Sequence, residues 1–167
     1  MVAITLPDGS VRDYDEAPSG GQIAADIGPG LAKAALAVRV DGTLWDLGRP
    51  IEADAAIAIV TAKDDDETVL GLLRHSAAHA LAQAAKELYA EVQVTIGPNV
   101  EDGFYYDFSR PEPFTPEDLE KLEARMHEIV GRDQEIGREV WQRDEAINWF
   151  REQGESYKAE IIADLPE

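Results

Sequence analysis

The chain has no cysteine in its 167 residues. That excludes a disulfide framework, a thiol nucleophile and a thiolate metal site within it. Histidine is scarce, at three. Basic side chains are outnumbered, with 15 Lys and Arg against 34 Asp and Glu, for a formal charge of −19. Such a surface repels phosphate, so composition does not point first to a nucleic-acid-binding module. No apolar run approaches the roughly 20 residues needed to cross a bilayer. The first six residues, followed by Pro7-Asp8-Gly9, make no signal peptide. The expectation is a cytoplasmic protein with no membrane partner.

What is present divides into two parts. Residues 1–63 carry five basic and nine acidic side chains, and residues 64–167 carry ten and twenty-five. In the first part Val2, Ile4 and Leu6 alternate as in a half-buried strand, Pro7-Asp8-Gly9 turns the chain, and Val11 and Tyr14 continue on a partner. Ser19 precedes Gln22 by three residues, the spacing of a capping box, and a short helix follows to Ile27 before Gly28 and Pro29 stop it. Residues 37–40 and 43–45 read as strands around an Asp41-Gly42 turn, and residues 57–60 as a last strand. Two hairpins around one helix, closed by a final strand, predict a β-grasp (ubiquitin-like) unit at residues 1–62.

The charge run Lys63-Asp64-Asp65-Asp66-Glu67 marks the expected boundary. Beyond it, a long Ala-rich helix is predicted over 67–89, with Val69, Leu72, Leu73, Ala80 and Ala84 on one face. Residues 92–96 read as a strand, Gly97-Pro98-Asn99 as a turn, and residues 103–108 as an aromatic strand or loop. Thr115, Pro116, Glu117 and Asp118 announce a helix that ends at Gly131. Residues 136–141 suit a strand, and Asp144 suits the cap of a helix closed by Gly154. The fold class is thus α+β, with a mixed α/β second part at 63–167. So small a sheet would keep open edges, which suggests that sequence is missing.

His75 and His79 stand four apart on the long helix, on one side of it, and Lys86 falls on the same line. Two His at this spacing can share a metal. However, Ser76-Ala77-Ala78 between them lacks a metalloprotease glutamate, and zinc normally takes three or more protein ligands. No metal site is therefore expected. From the spacing alone, ordinary helix-surface or packed histidines are the first reading, and a metal or catalytic pair is the alternative. Tyr105 and Tyr106 could line a pocket or simply belong to the core, and Lys158 on its own reads as a solvated lysine. No glycine-rich phosphate cradle and no calcium loop occur.

The motifs say more together than singly. Ile4-Thr5-Leu6-Pro7-Asp8-Gly9-Ser10 opens the series. Asp26-Ile27-Gly28-Pro29-Gly30-Leu31-Ala32-Lys33-Ala34 and Ile59-Val60-Thr61-Ala62-Lys63-Asp64 follow. Then come Arg74-His75-Ser76-Ala77-Ala78-His79, Ile96-Gly97-Pro98, Gly103-Phe104-Tyr105-Tyr106-Asp107-Phe108 and Gly154-Glu155-Ser156-Tyr157-Lys158. In this order they closely resemble the N-terminal region of bacterial threonyl-tRNA synthetases.

The resemblance implies a TGS domain at 1–62 and the first part of an editing domain at 63–167. It implies a parent that activates threonine with ATP, charges tRNA(Thr), and hydrolyses mischarged Ser-tRNA(Thr). His75, His79 and Lys158 match the family's catalytic editing positions, and Tyr106 and Gly97 its substrate-binding positions. The family's pocket also draws on a later Cys-Arg-Gly-Pro-His-like segment that these residues do not contain, so the chain by itself is expected to be inactive. No cofactor is expected within it, while ATP, Mg and Zn belong to the family's catalytic core. The expected partners are tRNA(Thr), bound weakly by this chain, with threonine and ATP at that core and a homodimer formed through it. Two other readings compete: a non-catalytic β-grasp binding or regulatory module, and a free-standing aminoacyl-tRNA deacylase.

Overall fold

The structure is a computed structural model and describes residues 1–64 and 67–166. Asp65 and Asp66, in the charge run expected at the boundary, lie outside the described residues. The chain forms two compact units, Met1–Leu70 and Gly71–Glu167. No helix of the described residues is long and apolar enough to cross a membrane.

The first unit is a five-stranded mixed sheet with helices at one connection. β1 (Val2–Thr5) pairs antiparallel with β2 (Val11–Tyr14). α1 (Gly20–Ile27) and α2 (Pro29–Ala34) lead to β3 (Ala35–Val40), β4 (Thr43–Trp45) and β5 (Ala55–Thr61). The sheet order is β2-β1-β5-β3-β4, with β1 and β5 parallel at its centre. This is the β-grasp arrangement expected from the pattern. Its core is Val2, Ile4, Leu6, Ile23, Val38, Val40, Ile51 and Ile57. The alternation of Val2, Ile4 and Leu6 places all three on the helix-covered side.

Local chemistry decides the connections. Ser19 caps α1 through a complete capping box with Gln22. Asp41 (φ 47°) and Gly42 (φ 84°) both take left-handed backbone, as the two-residue turn between β3 and β4 requires. Asp41 Oδ1 accepts from the Ala56 N–H at 2.9 Å and so ties the turn to β5. α1 ends at Ile27 with Gly28 as its C-cap, as expected, and Pro29 then opens α2, where its fixed φ and missing N–H are no handicap.

The second unit contains α3 from Gly71 on (Glu67–Leu88), then β6 (Gln93–Val94), β7 (Asn99–Val100), β8 (Gly103–Phe104) and β9 (Phe108–Ser109). α4 (Pro116–Gly131), α5 (Arg143–Glu152) and α6 (Ser156–Asp164) follow. β6 pairs with β9 and β7 with β8, all antiparallel. Ala84, Ala85, Val92, Val94, Leu122 and Ile129 form the core, under Tyr89, Tyr106, Phe108 and Phe114. Thr115 caps α4 with a capping box through Asp118. Arg74 Nη1 donates to the Val100 and Glu101 carbonyls, which holds the β7–β8 hairpin to α3.

Residues 136–141 are not a strand. They run without secondary structure and are exposed, Ile136 at 94%. Alternation alone cannot make a strand, which needs a partner for its backbone groups. α5 begins at Arg143 after Gln142, with Asp144 inside its first turn rather than at the cap.

Candidate active site

α3 presents His75 and His79 one helical turn apart. Their Nε2 atoms are 3.0 Å apart, and the rings meet edge to face with centroids 4.5 Å apart. A proton shared between the two Nε2 atoms fits that distance, with the tautomer deciding which ring donates. His79 is exposed, yet partial desolvation holds its imidazolium below the ordinary range, helped by the charges of His75 and then Lys158. A ring kept neutral near pH 7 can accept a proton from water.

Lys158 comes from α6. Its Nζ lies 5.5 Å from the centre of the Phe150 ring, and its charge acts on His79. The structure therefore pairs the two histidines and lets the charge of a lysine some eighty residues further on act on His79.

Tyr106 and Gly97 also meet. Beyond the β6–β9 pairing, Thr95 N–H donates to Asp107 O and Asp107 N–H to Ile96 O. This ladder carries the Tyr106 ring over Gly97, where an added Cβ would lie 2.2 Å from Tyr106 Cδ2. Gly97 is what permits the ring to lie there. Tyr106 also stacks on Phe108, with centroids 4.9 Å apart and planes at 21°. Burial, and after it the charge of Glu155, pushes the Tyr106 phenol up, so it stays a neutral hydroxyl.

The sequence reading put Lys86 on the histidine line and gave Glu155 no role. Lys86, on the line of the histidines, is exposed and pairs with Glu155. Glu155 is buried at the start of α6, an environment that no local pattern of residues announces. Among the described residues, no three His, Cys, Asp or Glu side chains are placed to hold a metal ion.

A second feature is aromatic. Trp141 and Trp149 pack edge to face at 5.5 Å, beside an open cavity of about 510 Å³ lined by Val140, Trp141, Glu145, Asn148, Trp149 and Glu152. It carries two carboxylates and no cation, and it holds none of the five expected site residues.

Comparison with known proteins places these findings. The TGS domain family matches residues 2–61. The threonine–tRNA ligase of Rhodospirillum rubrum is 64% identical over 166 residues, covering 99% of this chain and 26% of that protein. That of Paramagnetospirillum magneticum is 60% identical over the same shares. That of Granulibacter bethesdensis is 59% identical over 167 residues, 100% of this chain and 26% of that protein. The chain thus spans about a quarter of the length of these relatives. With a TGS domain at its start and this level of identity throughout, the chain is related over its whole length to the N-terminal region of bacterial threonyl-tRNA synthetases.

Proposed function

We propose that the chain is the N-terminal part of a threonine–tRNA ligase, with a TGS domain at 1–62 and the first part of an editing domain at 63–167. The whole enzyme would activate threonine with ATP, charge tRNA(Thr), and hydrolyse Ser-tRNA(Thr) made in error. It would act in the cytoplasm as a homodimer joined through its catalytic core, where ATP, Mg and Zn would bind.

A synthetic pocket shaped for threonine excludes serine poorly, since one missing methyl group is worth only about 1–3 kcal/mol. A second pocket that admits serine and clashes with threonine's methyl corrects the error. Its reaction is ester hydrolysis at the tRNA 3′ end. The ester bond breaks as a water oxygen bonds to the carbonyl carbon, serine leaves as the acid, and the ribose hydroxyl regains a proton.

The observation that carries this reading is the 3.0 Å His75–His79 pair, with the charge of Lys158 acting on His79. The histidines would hold the water and take its proton, and the ammonium would stabilise the developing oxyanion or orient the terminal ribose. Tyr106 over Gly97 would form a wall of the serine pocket.

The test compares serine release from Ser-tRNA(Thr) by this chain and by a longer chain continued as in the relatives. Only the longer form should act, because an arrangement loose by about 1 Å can lose a hundredfold in rate. In it, His75→Ala, His79→Ala and Lys158→Ala should each lower the rate by about 10²–10⁴. Unchanged hydrolysis in all three would overturn the assignment. Turnover by the 167-residue chain would mean that its catalytic set is already complete.

A further inference from the structure

Among the described residues Glu155 is the one buried charged side chain, at 8% exposure. Its Oε1 accepts from Lys86 Nζ, while its Oε2 is buried with no hydrogen-bond partner. A carboxylate left half satisfied is costly and persists where its surroundings hold it in place. Those surroundings are specific. Glu155 N–H donates to Phe150 O at 2.8 Å, its own carbonyl accepts from Ala159 N–H, and it stands as the first residue before α6. On either side of it, Gln93 Nε2 donates to Gly154 O at 2.9 Å and Ser156 Oγ donates to Gln93 Oε1 at 3.0 Å. The end of α6 is thus tethered to β6 by Gln93 and to α3 by Lys86. Lys158 follows Glu155 by three residues, on the same side of α6.

We propose that Glu155 is a positioning residue: its carboxylate, paired with Lys86 on α3, fixes the first turn of α6 and so sets where the Lys158 ammonium stands relative to His79. This deepens the hydrolytic reading above and rests on it. Glutamine would fill the same space, but it would leave Lys86 without its counter-charge and loosen the tether between the helices. Lys86 and His79 lie on the same helix, so whatever holds α6 to Lys86 also holds it in register with His79.

The chain has only three histidines, which keeps the ring signals few, and His127, on α4, serves as an internal reference. The charged groups that act on His79 are His75 on its own helix and Lys158 on α6. Titration of the full chain by side-chain NMR is compared for wild type, Glu155→Gln, Glu155→Asp and Lys158→Met. Lys158→Met removes a neighbouring positive charge, so the His79 midpoint rises. If Glu155 positions Lys158, Glu155→Gln also raises it, because the ammonium drifts away. Direct loss of a negative charge would instead lower the midpoint, so the two causes differ in sign. Glu155→Asp keeps the charge and shortens the reach, and it should give a smaller rise.

In a Lys158→Met background Glu155→Gln should add nothing. The proposal is overturned if both Glu155 variants leave His79 unmoved or lower it, or if the rise persists without Lys158. It is equally overturned if the His127 signals collapse along with the others, since the pair then only holds the unit together. No hydrolysis is read in this experiment. A rise in His79 here, together with a longer chain, continued as in the relatives, that fails to release serine, would sink the functional reading and leave the placement of Lys158 intact.

Discussion

The Tyr106 ring occupies the space that any side chain at Gly97 would need: a Cβ there would stand 2.2 Å from Cδ2 and 2.6 Å from Cε2. Gly97→Ala must therefore push the ring or the backbone aside, at about 1–3 kcal/mol for an overpacked site. Gly103→Ala is the control, since a Cβ there meets nothing within 4 Å, and it should stay within about 0.5 kcal/mol of wild type. Thermal melting followed by near-ultraviolet circular dichroism reads both. Equal melting of the two variants would mean that Tyr106 is free to leave Gly97.

Acid should weaken the second unit through Glu87. Arg132 meets this carboxylate with two parallel hydrogen bonds, at 2.6 and 2.9 Å, and Gln83 and Arg125 add one each. The Arg132 guanidinium is the main reason its pKa falls from 4.5 to about 2. A depressed carboxylate contributes stability that is full above the ordinary value and fades as pH drops through the folded one. Glu87→Gln should therefore be less stable than wild type at pH 7, and the gap should close as pH falls from about 4.5 to about 2. Urea midpoints at several pH values measure this. A gap that widens in acid would contradict it.

Residues 1–64 should fold alone. Their core of Val2, Ile4, Leu6, Ile23, Val38, Val40, Ile51 and Ile57 is drawn wholly from within them. A dispersed amide NMR spectrum of that peptide is the expected result, and random-coil shifts would overturn it. Within it, Gly42→Ala should cost about 1–2 kcal/mol, because alanine must adopt the φ of 84° found there.

The 167-residue chain should bind tRNA weakly. Phosphate contacts dominate nucleic-acid affinity, and the formal charge here is −19. A salt-sensitive gel shift below micromolar protein would show that a local basic surface outweighs the net charge.

The parts that were legible in the sequence are those set by near neighbours. Ser19 with Gln22, Thr115 with Asp118, and Asp41 with Gly42 each complete their geometry within a few residues, and each is found as read. The pairing of His75 with His79 follows in the same way from helical spacing. Partnership at a distance was not legible. Residues 136–141 have the alternation of a strand but no strand beside them. α6 was missed because no side chain caps it. β7 was missed because a two-residue strand shows no period. Glu155 could not be told from the other acidic residues, since only its burial against Lys86 sets it apart.

The tether at the start of α6 makes the interval between Glu155 and Lys158 matter as much as their identities. Each residue added to a helix turns everything after it by about 100°. One alanine inserted after Tyr157 would leave Glu155 on Lys86, keep all the site's side chains in the chain, and swing Lys158 away from His79. A variant of that kind would pass a residue-by-residue comparison and still lose the proposed placement of Lys158. In the proposed arrangement the helical phase of α6 therefore matters beside the side chains it carries.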